Sequence, residues 1–179
     1  MKIKRVNILS KDYRKIRNIF STSLPSYERL SMFSLYALSL RKDIHYSVFY
    51  EEETIIGIKY TIETKKLNYL LYLAVNPELR SRGYGSKMLE WLKNRSQDKP
   101  VALDIEIIDD TAPNYAQRLK RLSFYEKNGF HSTNYNIFYD DQYYTVLTNN
   151  DNFKVDDLVN LFKTFTFNLY KPDIKNAAI

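Results

Sequence analysis

Apolar and polar positions change period several times along this chain, and each change marks an element. Residues 3–9 alternate weakly, as a first strand does. Ser10 is placed to cap a helix from about Lys11 to Phe20, with Ile16, Ile19 and Phe20 as its apolar stripe. Residues 21–26 hold Pro25 and several hydroxyl side chains and read as a loop. A second helix is expected over Tyr27–Leu40, with Leu30, Phe33, Ala37 and Leu38 on one side.

The period then shortens. His45–Tyr50 reads as a strand, Glu51 to Glu53 as a charged turn, and Ile55–Ile62 as the next strand, with Gly57 as a bulge. Tyr69–Val75 is a third strand. Short turns between consecutive strands imply an antiparallel meander. The third strand is apolar on both faces, so it belongs in the centre of a sheet, covered on both sides. A helix follows from Gly83 or Gly85 to Arg95, with Met88, Leu89 and Leu92 buried. Val101–Ile108 is another strand. Tyr115–Asn128 is a helix stopped by Gly129 at the position beyond the cap that glycine favours. Phe130–Tyr139 and Tyr143–Leu147 form a last pair of strands. A final helix spans about 155–170, with Leu158, Leu161, Phe162 and Phe165 inward, and the tail from Lys171 is expected to fray. No repeat or linker interrupts the pattern. The expectation is one α/β (α+β) domain over residues 1–179, a mixed, mostly antiparallel sheet flanked by helices on both faces.

Composition narrows the function. A length of 179 residues suffices for one core. The 27 basic and 21 acidic residues give a formal charge of +6. That surplus is scattered; it steers a polyphosphate cofactor but does not argue for nucleic acid. The absence of cysteine excludes disulfides, thiolate metal sites and a Cys nucleophile. Neither a signal peptide nor a membrane span is read from the sequence, so a cytoplasmic protein without a membrane partner is expected, and no metal. The 16 tyrosines either line a cleft or reflect AT-rich coding DNA.

The segment from Tyr69 to Leu92 carries the chemistry. It reads strand, turn, helix, and the turn holds Arg80, Ser81, Arg82, Gly83, Tyr84, Gly85 and Ser86. The first amides of a helix have no intrahelical partners, and the helix dipole is positive there. With glycine backbone and two guanidinium groups this makes an anion site suited to a pyrophosphate. A Gly-rich turn with two solvated arginines is the plainer alternative. The segment lacks the Lys-Ser/Thr of a phosphate-binding P-loop and the third glycine of a dinucleotide fingerprint.

Arg80-Ser81-Arg82-Gly83-Tyr84-Gly85 also resembles the [QR]-x-x-G-x-[GA] signature of the GNAT acetyltransferases, and it follows an apolar strand as that motif does. Phe124-Tyr125-Glu126-Lys127-Asn128-Gly129-Phe130 is similar to the family's Y-x-x-x-G-F segment, in the variant that writes a basic residue and then F-Y-x-x-N-G-F. The resemblance covers about residues 44–147. It implies a GNAT-like fold and N-acetyl transfer from acetyl-CoA to a primary amine, on a small molecule or a peptide. Its site roles fall on Leu73, Ala74 and Val75 for the pantetheine arm, on Arg80 to Ser86 for the pyrophosphate, and on Tyr125 as the acid that protonates the departing thiolate. A CoA contact by Asn114 is not carried over, because many members place that Asn a helical turn nearer the tyrosine. The alternatives are a GNAT-fold module without catalysis, binding acyl-CoA or RNA. The aromatic C-terminal helix leaves a homodimer open.

The proton acceptor is less determined. Asp104 and Glu106 share one face of the strand from Val101, roughly 6–7 Å apart. A carboxylate on a mostly buried strand needs a reason to be there. Glu106 lies nearer the strand's C-terminal end, where open sheets place ligands, and is preferred as base or amine-binding group. Ion pairing of both carboxylates, or a water as base, also fits. Glu28 and Arg29 are a further pair, near the acceptor side that the resemblance implies.

Overall fold

The computed structural model describes residues 1–23, 30–139, 141–167, 169 and 171–177. The expected pair Glu28 and Arg29 lies outside the described residues. The chain is α/β, with eight strands in the hydrogen-bonded order β1-β2-β3-β4-β5-β7-β6-β8. In sequence these are β1 (Lys2–Arg5), β2 (Ile44–Glu51), β3 (Thr54–Glu63), β4 (Asn68–Val75), β5 (Val101–Glu106), β6 (His131–Tyr139), β7 (Gln142–Thr148) and β8 (Asp173–Asn176). The helices are α1 (Tyr13–Ser23), α2 (Met32–Ser39), α3 (Tyr84–Ser96), α4 (Tyr115–Lys127) and α5 (Val155–Phe165). Two compact units divide the chain: Met1–Glu63 with Leu70–Leu92, and Thr64–Tyr69 with Lys93–Ile179.

In the first unit β1 pairs with β2 and β2 with β3, both antiparallel, and a short turn joins β2 to β3 as expected. The register shifts where Phe49 faces Gly57 and Tyr50 faces Ile55, so the bulge expected at Gly57 is present. A Cβ at Gly57 would stand 2.5 Å from the Ala74 carbonyl oxygen and 2.9 Å from the end of Met88. The bare backbone is what lets β3 and α3 approach the end of β4. β4 is covered on both faces, as expected. Leu73 and Val75 pack on the cluster of Phe49, Ile56 and Met88. On the opposite face the Tyr72 ring meets Phe20 of α1 edge-on, at 5.2 Å and 83°.

The early helices depart from expectation. α1 begins at Tyr13, because Ser10 closes a turn first: its hydroxyl accepts from Asp12 N and its carbonyl from Tyr13 N. Ile16, Ile19 and Phe20 are buried as read. α2 begins five residues later than expected, where the Ser31 hydroxyl accepts from Ser34 N at 3.0 Å. That start buries Leu35 and leaves Phe33 82% exposed, so the expected stripe of Leu30, Phe33, Ala37 and Leu38 is not the inward face.

In the second unit Asn68 and Tyr69 of β4 pair in parallel with Val101 and Ala102 of β5, and β7, β6 and β8 continue antiparallel. Leu158, Leu161 and Phe162 of α5 are buried, and the Phe162 ring meets Tyr69 at 5.1 Å. β5 ends at Glu106, two residues short of the expected end. The tail from Lys171 does not fray as expected: Asp173–Asn176 pairs with β6, which satisfies backbone groups on that strand's outer edge. Among the described residues no helix is long and apolar enough to cross a membrane, and no group of three or more His, Asp or Glu side chains is placed to hold a metal ion.

Candidate functional site

The anion-binding turn lies in the first unit. β4 stops at Val75 because the next residues fold back on themselves. Asn76 donates from its side chain to the Ile55 carbonyl at 3.0 Å and accepts from Glu78 N at 3.2 Å. Pro77–Leu79 make one 3-10 turn, and Arg80 is extended. Ser81 and Gly83 then take left-handed backbone, at φ 61° and 77°. Nothing lies within 4 Å of a Cβ built at Gly83. The glycine is therefore required by its dihedral angle rather than by close packing.

The first i to i−4 bond of α3 runs from Lys87 N to the Gly83 carbonyl, at 3.2 Å. Among the described residues, the six amides from Ser81 to Ser86 have no protein acceptor. Six successive unpaired donors at a helix start exceed the four that any helix leaves. Arg82 is exposed beside them, and Arg80 is steadied by a 3.0 Å bond to Ser23 Oγ at the end of α1. The Tyr84 hydroxyl donates to Glu51, and Lys87 Nζ stands 5.2 Å over its ring. Gly85 is buried, while Ser86 is half-buried. Leu73, Ala74 and Val75, read as the pantetheine strand, end β4 just before this turn.

A groove of about 810 Å³ opens in the same unit, lined by Tyr13, Arg17, Phe20, Met32, Phe33 and Tyr36 among others.

The second unit gathers the two β5 carboxylates and the tyrosine. Glu106 is only 2% exposed. Asn114 Nδ2 donates to its Oε1 at 2.7 Å, Arg118 Nε lies 3.6 Å from the same oxygen, and Arg121 donates to Oε2. Arg118 is fixed in turn by Asn114 Oδ1 at 2.8 Å and by the Ile107 carbonyl at 2.7 Å. The desolvation of this carboxylate is thus offset by two donated hydrogen bonds and a second guanidinium charge nearby. Asp104 is half-buried and accepts from the hydroxyls of Tyr69 and Tyr139.

Tyr125 is half-buried near the end of α4, its ring edge-on to Phe124 at 5.2 Å and to Phe130 at 5.8 Å. Gly129, at φ 81°, closes the helix so that Phe130 N bonds back to the Tyr125 carbonyl. Among the described residues the Tyr125 hydroxyl has no hydrogen-bond partner. Burial pushes its pKa from 10.0 up to about 12; the Arg121 cation opposes the rise and Asp104 adds to it. The hydroxyl therefore stays protonated at neutral pH, with a donor to give.

Arg118 and Arg121 are the residues that sequence reading missed. The signal was present: Asn114, Arg118, Arg121 and Tyr125 are spaced four, three and four, which puts all of them on one helix face.

A family model described as an acetyltransferase (GNAT) domain matches residues 42–132, just over half of the chain. Among curated protein sequences nothing matches significantly. Solved structures with the same fold include a protein described as a GNAT-family acetyltransferase from Bacteroides thetaiotaomicron, at 17% identity and TM-score 0.76, covering 95% of this chain and all of the other. Ard1 from Thermoplasma volcanium matches at 19% identity and TM-score 0.62, covering 82% of this chain and 95% of its own. A GNAT acetyltransferase from Elizabethkingia anophelis with acetyl-CoA bound matches at 13% identity and TM-score 0.59, covering 82% and 95%. At these identities the likeness is one of fold, and it agrees with the match to the sequence model: this chain belongs to the GNAT family of acetyltransferases and is an acyltransferase.

Proposed function

We propose that the protein moves an acetyl group from acetyl-CoA to a primary amine, on a small molecule or a peptide, by direct attack of the amine within a ternary complex. The observation that carries this reading is the run of six amides, Ser81 to Ser86, without acceptors at the start of α3. Arg80 and Arg82 flank them, and phosphate is the anion that a helix start with forked guanidinium donors fits best. The backbone of Leu73, Ala74 and Val75 takes the pantetheine arm in this reading, as the resemblance implies, and the whole chain serves as one acetyltransferase domain. An acetyl-CoA-bound relative of the same fold supports the choice of cofactor.

No cysteine is available to form an acyl-enzyme, so the amine nitrogen attacks the thioester carbonyl itself. The new C–N bond forms as the C–S bond breaks, and the sulfur leaves as thiolate. Tyr125 is the acid that supplies its proton. Its hydroxyl is protonated and uncommitted, so the bond it makes to sulfur strengthens as charge develops there. Glu106 serves this chemistry as a fixed charge that holds Arg121. The amine's proton leaves through water. The early-helix groove lined by Tyr13, Arg17 and Tyr36 is where the acceptor enters.

The test is calorimetry with coenzyme A, followed by incubation with acetyl-CoA and an amine panel, reading the released thiol with a chromogenic disulfide. The chain has no cysteine, so that assay has no protein background. Binding of coenzyme A with thiol release dependent on both amine and protein is the expected result. No heat of binding would refute the reading. Binding without turnover on any amine would leave a module that holds acyl-CoA, the second reading of the same turn.

A further inference from the structure

We infer that Arg121 is a positioning residue for the acid: clamped by Glu106, it presents a permanent positive charge one helical turn before Tyr125 and stabilises the phenolate formed when the proton is given away. This inference rests on the acetyl-transfer reading above and deepens it at one residue.

The argument begins with geometry. Residues four apart on a helix are neighbours on its surface, so the Arg121 and Tyr125 side chains share a face of α4. Arg121 is not left to wander over that face. Its guanidinium donates to Oε2 of Glu106, a carboxylate 2% exposed on the rigid strand β5. Glu106 is itself fixed on its other oxygen by Asn114 at 2.7 Å, and Arg118 braces Asn114 from the next turn. A long flexible side chain is thereby turned into a fixed charge. A charge already in place needs no reorganisation when the reaction occurs.

The charge also has a task. Proton donation breaks the Tyr125 O–H bond and forms an S–H bond, while the electron pair of the broken C–S bond stays on sulfur. What remains at position 125 is a phenolate in a half-buried, aromatic setting, between Phe124 and Phe130. Such a setting disfavours an anion. The charged groups that act on the hydroxyl are Arg121, which favours the anion, and Asp104, which disfavours it. Arg121 is the one cation among them.

Arg121 touches neither the thioester nor the amine in this account, so its removal is read at Tyr125 itself. The experiment places 3,5-difluorotyrosine at position 125 in the full-length protein. The fluorines bring ionisation into a workable pH range, and the fluorine NMR shift follows it. The titration is run in the wild-type background and with Arg121→Met and Arg121→Lys. An opposite charge at this spacing moves a titration by one to three pH units; since the Arg121 side chain is 35% exposed, the midpoint should rise by about one pH unit in Arg121→Met and return most of the way in Arg121→Lys. The same variants, with native Tyr125, should lose turnover in the same order while coenzyme A affinity stays unchanged. An unmoved midpoint in Arg121→Met overturns the proposal, as does a rise that Lys fails to reverse. If Arg121→Met does not fold, the lysine variant decides alone: a midpoint within a few tenths of wild type supports a charge role, and a rise equal to full charge loss refutes it. Failure of coenzyme A to bind the wild-type protein would instead remove the acetyl-transfer reading, so the two failures are distinguishable.

Discussion

Replacing Glu106 by Gln tests whether this carboxylate is an anchor or a base. The substitution keeps the shape and removes one charge. In its place stands an amide whose NH2 faces donors, so at least one of Asn114 Nδ2 and Arg121 Nη1 loses its acceptor. Breaking a buried ion pair from one side costs about 3–5 kcal/mol when the remaining charge is stranded. Here stranding is incomplete. Arg118 keeps the Ile107 carbonyl and Asn114 Oδ1, and Arg121, at 35% exposure, can turn to water. The expected loss is therefore about 2–3 kcal/mol. For a chain of this size that lowers the melting temperature by about 4–12 °C. Differential scanning calorimetry measures it, and a double-mutant cycle with Arg121→Met isolates the pairwise part, which should be most of the loss. Turnover should fall only as far as it falls in Arg121→Met alone. Unchanged stability together with abolished turnover would refute the anchor reasoning and make Glu106 the base.

Four further outcomes follow from the same geometry. Tyr125→Phe should lower kcat by about 10²–10⁴-fold, the usual worth of a general acid, and leave the coenzyme A dissociation constant unchanged in calorimetry. Reversing both Arg80 and Arg82 to Glu should weaken coenzyme A at least about a hundredfold, from two lost charged hydrogen bonds, and the wild-type affinity should fall as salt rises. Gly57→Ala should lower stability by about 1–3 kcal/mol or more in thermal melts, because the Ala74 carbonyl at 2.5 Å cannot yield as the Met88 tip can; an unchanged melting temperature contradicts the close approach. Tyr125 and Tyr50 have folded pKa values raised from 10.0 to about 12, mainly by burial, so both contribute stability below pH 10 that is lost as pH rises from 10 towards 12; chemical denaturation across that window should show the decline, and Tyr125→Phe should make it shallower.

The local parts of this protein were legible in its sequence and the tertiary parts were not. The strands β2, β3 and β4, the Gly57 bulge, the turn after β4 and the Gly129 helix stop all announce themselves within a few residues, through period, charge and glycine. The buried face of α2 could not be read, because Met32–Ser39 is apolar almost all round and its periodicity selects no side. The Ser31 cap was the better guide, and it was available. β8 was missed because Asp173–Asn176 is too short and polar to look like a strand; the pairing on β6 makes it one. At the candidate site, Asp104 and Glu106 were seen as a pair on one face, but their opposite fates were not. Whether a carboxylate meets a tyrosine or an arginine depends on which distant element reaches it: Tyr69 and Tyr139 come from β4 and β6, Arg121 from α4. That contact joins residues 8 to 35 positions apart.

The charges around Glu106 also bear on which step the second unit serves. One carboxylate stands against two guanidinium groups, Arg118 and Arg121, so the cluster carries one net positive charge. A site built to receive a proton from an ammonium would expose negative charge, because the ammonium must be drawn in and its proton accepted. A site built to receive a departing thiolate would expose positive charge and a protonated donor. The face of α4 that carries Arg118, Arg121 and a hydroxyl held in its protonated form matches the second description. Its sign agrees with that of the turn in the first unit, where unpaired amides and two arginines also await negative charge. Under the proposed function the turn is the group offered to the phosphates and the Tyr125 hydroxyl the group offered to the sulfur, and the amine is the reactant met by the least fixed charge. An acceptor entering the groove of Tyr13, Phe33 and Tyr36, as proposed above, would be selected by shape and aromatic contact rather than by a buried carboxylate.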